Sequence, residues 1–122
     1  MAVTQVFPQT VFLAGRQQTG DLPVADGDTV AQIEVDVTLF TDPAVTVSFG
    51  VDISLDAGTT WQLVVSGARP GGALINARTG LPYTMMSVRH PDIPAGAGRL
   101  IRAWIDVVGG PVTLGPATLT TA

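Results

Sequence analysis

Val45-Thr46-Val47-Ser48-Phe49-Gly50-Val51-Asp52-Ile53-Ser54-Leu55 is the stretch on which the fold turns. Val45, Val47, Phe49, Val51, Ile53 and Leu55 recur at every second position, and Thr46, Ser48, Gly50, Asp52 and Ser54 fall between them. Side chains alternate across a strand with period two, so this spacing predicts a β-strand with one face in a core and the other in water. Asp52 belongs to the wet face on this reading.

The same alternation extends outward along the chain. Upstream, Ala31, Ile33, Val35, Val37 and Leu39 share one face of a strand over 30–40, opposite Gln32, Glu34, Asp36 and Thr38. Asp42-Pro43 marks the turn between the two strands. Downstream, Trp61, Leu63 and Val65 alternate in a third strand over 59–66. The segment 67–80, with Pro70 and several glycines, reads as a long loop available to a partner. A weaker strand covers 83–90, with Met85 and Met86 on opposite faces, and 91–98 is a connector. Residues 99–108 are apolar on both faces, which predicts a central strand covered by a second sheet or a neighbouring subunit. A last strand over 112–121 is interrupted at Gly115-Pro116 by a bulge or an edge. No helical period persists, and the expected fold is all-β: one antiparallel β-sandwich, jelly-roll-like, over residues 15–122. Residues 1–14 precede it either as an extended N-terminal arm reaching a partner or as an edge strand of the domain's own sheet.

Composition narrows the function. The chain has 122 residues, 46% of them hydrophobic and only 13% charged, which is the balance of a folded single domain rather than a disordered one. No apolar run approaches the ~18 residues of a membrane-spanning helix. Met1-Ala2-Val3-Thr4-Gln5 has neither a basic nor an apolar leader region, so no secretory signal is expected. Cysteine is absent, and with it disulfides, thiolate metal sites and cysteine nucleophiles. The net charge of −4 argues against a nucleic-acid partner, because phosphate neutralisation needs the opposite sign. All six strongly basic residues are arginines: Arg16, Arg69, Arg78, Arg89, Arg99 and Arg102. Guanidinium forks suit fixed interface contacts; codon usage accounts for the bias equally well.

Candidate chemistry is sparse. His90 is the single histidine, in Arg89-His90-Pro91-Asp92, and no nucleophile elbow accompanies it. Asp52 with Asp56, and Glu34 with Asp36, could form carboxylate pairs of the kind glycosidases use, but acids on the polar face of strands more often serve solvation. Asp21, Asp26 and Asp28 offer oxygen ligands suited to calcium without the downstream glutamate of an EF-hand. The glycine-rich 68–73 segment lacks the lysine and the helix of a phosphate-binding loop. No cofactor, catalytic residue or metal ligand is assigned.

Ser54-x-Asp56-x-Gly58-x-Thr60-Trp61 carries a sharper signal, because it resembles the Asp-box hairpin, S-x-D-x-G-x-T-W, at every defining position. The resemblance covers these eight residues. In sialidase-like propellers such boxes brace the blades away from the active site, which implies a structural turn here. Asp56 is expected to accept turn N–H groups, Gly58 to adopt a positive φ, and Trp61 to lie over the hairpin.

The whole chain, short, cysteine-free and rich in Gly, Thr and Val, loosely resembles small virion proteins of tailed phages, in particular capsid decoration (cement) proteins. That resemblance implies a non-enzymatic virion component, often trimeric, whose partner is the major capsid protein or another virion protein. The N-terminal residues Val3, Val6, Phe7, Val11 and Phe12, together with Arg16, Arg69 and Arg78, would make the contacts. Deleting residues 1–12 would then detach the protein and leave the domain folded. The alternative is a carbohydrate-binding β-sandwich or a tail or head-fibre recognition element, with Trp61, Trp104 and Tyr83 as candidate aromatic platforms.

Overall fold

A computed structural model describes residues 1–122. The strands are β1 (Ala2–Phe7), β2 (Thr10–Phe12), β3 (Gly15–Gln18), β4 (Leu22–Pro23), β5 (Ala31–Asp36), β6 (Thr46–Ser54), β7 (Gln62–Pro70), β8 (Met85–His90), β9 (Leu100–Val108), β10 (Val112–Leu114) and β11 (Ala117–Thr121). They form an antiparallel β-sandwich. One sheet has the order β1-β11-β5-β8, and the other runs β3-β9-β6-β7 with β4 continuing along β9. β2 and β10 pair as a separate ribbon.

The core lies between the sheets and is built from the predicted alternation. Val47, Phe49, Val51 and Ile53 of β6 are fully buried, as are Ile33 and Val35 of β5. Ile101, Ala103, Ile105 and Val107 of β9 meet them from the neighbouring strand. The outer faces depart from expectation in an instructive way. Asp52 and Ser54, assigned to a wet face, are 7% and 0% exposed, because Arg16 of β3 and Arg102 of β9 fold across Asp52 and the following turn closes on Ser54 through Asp56 and Gly58. The outer face of β9 is covered by side chains and not by a second sheet, and Val108 at its end is exposed.

Three boundaries also move. The 30–40 strand ends at Asp36, and a turn closed by Phe40 N–H donating to the Val37 carbonyl swings Phe40 inward and leaves Leu39 exposed. The expected 67–80 loop begins as strand: Gly67 to Arg69 pair with Phe49 to Val47. Gly67 permits this, since a Cβ there would stand 2.8 Å from Val88 Cγ1. The remaining loop is tied to itself by the Ile75–Pro82 bridge and by Tyr83 N–H donating to the Leu74 carbonyl, with Leu74 buried. At the other end, Gly115-Pro116 divides the last strand, so that β10 pairs with β2 and β11 with β1 and β5.

Of the two readings of the N-terminus, the edge strand is the one found. β1 runs antiparallel to β11, with Ala2 opposite Thr121 and a register shift between Gln5 and Phe7. Phe12 is 2% exposed in the core, and Phe7 packs edge-on against it with ring centroids 5.4 Å apart. Of the apolar residues expected to reach outward, Val6, Phe7 and Phe12 therefore pack into their own domain, while Val3 and Val11 are exposed.

Candidate functional site

The Ser54–Trp61 hairpin is the starting point, because its geometry follows directly from residue types. Asp56 Oδ1 accepts from Ser54 Oγ–H and Thr60 N–H, each at 2.8 Å, and its Oδ2 accepts from Thr60 Oγ1–H at 2.5 Å. Ser54 Oγ in turn accepts from Gly58 N–H at 2.8 Å. Gly58 has φ +95° and Ala57 φ +59°, so the turn passes through the left-handed region at both residues. The hydrogen bonds from Thr60, followed by that from Ser54, hold the Asp56 carboxyl at a pKa of about 2, below its ordinary 3.8. A carboxylate so fully engaged is a brace.

The hairpin delivers Trp61 to the outer face of the β3-β9-β6-β7 sheet, where the register gathers a cluster that sequence spacing had scattered. Arg102 of β9 stands directly across from Asp52 of β6, and Gln18 of β3 across from Trp104 of β9. Asp52 Oδ2 accepts from Arg16 Nη2 at 2.8 Å and from Arg102 Nε at 3.3 Å, and its Oδ1 accepts from Trp104 Nε1–H at 3.1 Å. Each guanidinium also lies on an indole: Arg16 is 4.5 Å from the Trp104 ring centroid, and Arg102 is 4.2 Å from that of Trp61. Such stacking combines cation–π attraction with burial of the apolar arginine stem.

Gly50 makes this layering possible. A Cβ at position 50 would stand 2.6 Å from Trp104 Cζ2, so the indole lies flat against the bare β6 backbone. Trp104 is therefore 8% exposed and forms the floor of the cluster; the upper surface consists of Arg16, Arg102 and the partly exposed Trp61. Next to it, a shallow cleft of about 280 Å3 is lined by Ile53, Leu55 and Trp61 together with Asp56, Thr60 and Gln62.

Other expected contributors lie elsewhere. Arg69 is 5.8 Å from the Phe49 ring centroid, and Arg78 and Tyr83, the latter 48% exposed, are on the 71–84 loop. Val3 and Val11 are exposed, while Val6 and Phe7 pack against the core. His90 Nδ1 accepts from Asp92 N–H within its own turn. Asp36 accepts from Thr38 Oγ1–H and N–H, which lowers its pKa.

Sequence reasoning missed Arg99, which is 1% exposed. Its Nη1 donates to the carbonyls of Asp28 and Pro94, and its Nη2 to those of Ala25 and Asp26, at 2.6–3.0 Å. The Asp26-Gly27-Asp28 turn, considered above for calcium, thus turns carbonyls onto an internal guanidinium. No three acidic or histidine side chains converge anywhere in the molecule. An arginine at the mouth of an apolar strand was the available signal, and only the fold shows which loops surround it.

No family model and no curated protein matches the sequence. Among solved structures, the chain is similar to TmCBM61, a carbohydrate-binding module determined in complex with β-1,4-galactotriose. The TM-score is 0.45 and the identity 11%, over 90% of this chain and 67% of that one.

Proposed function

We propose that this protein is a non-catalytic, saccharide-binding β-sandwich whose ligand lies over Trp61, Arg102 and Arg16 and into the adjoining cleft. The observation that carries the reading is the array of planar groups on one sheet face, in which each arginine stands over a tryptophan and is bonded to Asp52. A sugar ring offers flat C–H surface edged by hydroxyls. Its binding site needs flat apolar or delocalised surface with hydrogen-bonding groups at the margin, here Gln18, Thr60 and Gln62. Because the partners are already fixed, little side-chain entropy remains to be lost on binding. Catalysis has no comparable support: Asp56 is a brace and His90 is engaged in its own turn.

Both tryptophans of the chain belong to this cluster, so intrinsic fluorescence reports on the site itself. Glycan-array hits that also shift this emission in solution are the expected result. An array without hits, repeated with polymeric glycans, would overturn the reading.

A second reading, attachment to a virion surface, draws on a different region. Val11 and Leu13 are 59% and 63% exposed and, with Phe7 and Pro8, line a cavity of about 310 Å3; Val3, on β1, is 60% exposed. Contiguous apolar surface of this kind marks interaction sites. Sedimentation separates the readings: a stable trimer favours the virion role, and a monomer the saccharide-binding module.

A further inference from the structure

We propose that the saccharide is acidic, and that its carboxylate is received by the outward edge of Arg102 with Arg16 beside it. The inference rests on the saccharide reading above and names the ligand class for the same surface. One arginine is enough to neutralise Asp52, yet two converge on it, so these ion pairs leave one positive charge over among the three side chains. Only Nε of Arg102 has a protein acceptor; Nη1 and Nη2, the end-on fork, have none and are not sealed from solvent. Arg16 engages Nε with Gln18 and Nη2 with Asp52, which leaves Nη1 free on a side chain 40% exposed.

Both guanidiniums stand over a tryptophan ring and are tethered by Asp52. The planar donors are thus presented in a fixed orientation, the arrangement that receives a carboxylate through parallel hydrogen bonds. Neighbouring acids define where that carboxylate sits. Asp106 lies across from Arg16 in the register but ion-pairs with neither arginine, and at four residues along β9 it stands roughly 13 Å from Arg102. Asp56 is on the hairpin with its oxygens engaged, and Asp21 faces the Gly58 turn. On this surface the free Nη edge of Arg102 is therefore where a carboxylate meets unpartnered donors, the one carboxylate beside it, Asp52, being already paired with both arginines.

The test measures binding of the full chain to polygalacturonate, alginate and hyaluronan, each beside its carboxyl-reduced form, with dextran sulfate as the sulfated arm. At least one uronate is expected to bind about tenfold or more tightly than its reduced counterpart, the difference one charge-assisted contact supplies. Arg102→Gln should erase that preference and Arg102→Lys should retain part of it, with thermal melts confirming that each variant folds. If Arg102→Gln does not fold, Arg16→Gln, at the more exposed site, should lower the preference without erasing it, and an unchanged preference would count against the proposal. Equal affinity for acidic and reduced forms would overturn the acidic class and leave the saccharide reading standing. Binding to dextran sulfate and to no uronate would also overturn the carboxylate assignment. Failure to bind any saccharide would remove both.

Discussion

Asp56 shows how one side chain can fix a turn and record it in its ionisation. Its pKa of about 2, against an ordinary 3.8, means that the folded state favours the carboxylate more than the unfolded chain does. The stabilisation is complete above the unfolded value and is lost as pH falls through the folded one. Acid titration should therefore show a loss of stability between about pH 4 and 2 that is smaller in Asp56→Asn, measured by denaturant midpoints across that range. Asp36, also lowered by its bonds to Thr38, contributes in the same direction. Gly50 is decisive for a different reason, because its missing side chain leaves room for the Trp104 ring and the Val65 carbonyl, each 2.6 Å from where a Cβ would stand. Gly50→Ala should cost about 1–3 kcal/mol by overpacking, with a changed tryptophan emission as the ring is lifted from β6.

Among the elements, the loop cage around Arg99 has the largest predicted effect. Loops 25–28 and 94–98 contain few apolar side chains, and the guanidinium joins them through four carbonyls. Removing it leaves acceptors without donors in a region that packing alone does not hold. Arg99→Met should destabilise the fold by about 3–5 kcal/mol, with Arg99→Lys intermediate, measured by equilibrium unfolding. The elements also show what alternation can and cannot reveal. β5 and β6 were legible because Val, Ile and Phe recur with the period of the pleat. The extension of β7 through Gly67 was not, since it depends on pairing with β6 and on the room that Gly67 leaves for Val88 from another strand. Asp52 was misjudged for the same kind of reason, as its burial comes from residues 36 and 50 positions away in sequence.

Over the whole molecule, the N-terminal segment is a working part of the sandwich. β1 covers one side of β11, and Phe12 belongs to the core that both sheets share. Deleting residues 1–12 is therefore expected to destabilise the domain by several kcal/mol, since Phe12 alone would forfeit about 3–5 kcal/mol. A truncated protein with an unchanged melting temperature would contradict this. The result bears on the virion reading too, because lost attachment in such a variant would reflect unfolding. Variants at exposed Val3 and Val11 are the cleaner probe of that surface.

The sequence by itself determined the all-β class, the inward residues of the long strands and the hairpin at Ser54–Trp61. These depend on period-two alternation and on local turn chemistry, which act over a few residues. Only the tertiary structure decided that the N-terminus is an edge strand, that Arg99 is internal, and that Arg16, Asp52, Arg102, Trp61 and Trp104 meet on one face. Those outcomes depend on strand order and register, which align side chains from four separate strands and turns. The residues of the proposed binding surface were each visible in the chain, and it was the pairing of β3, β6 and β9 that brought them together.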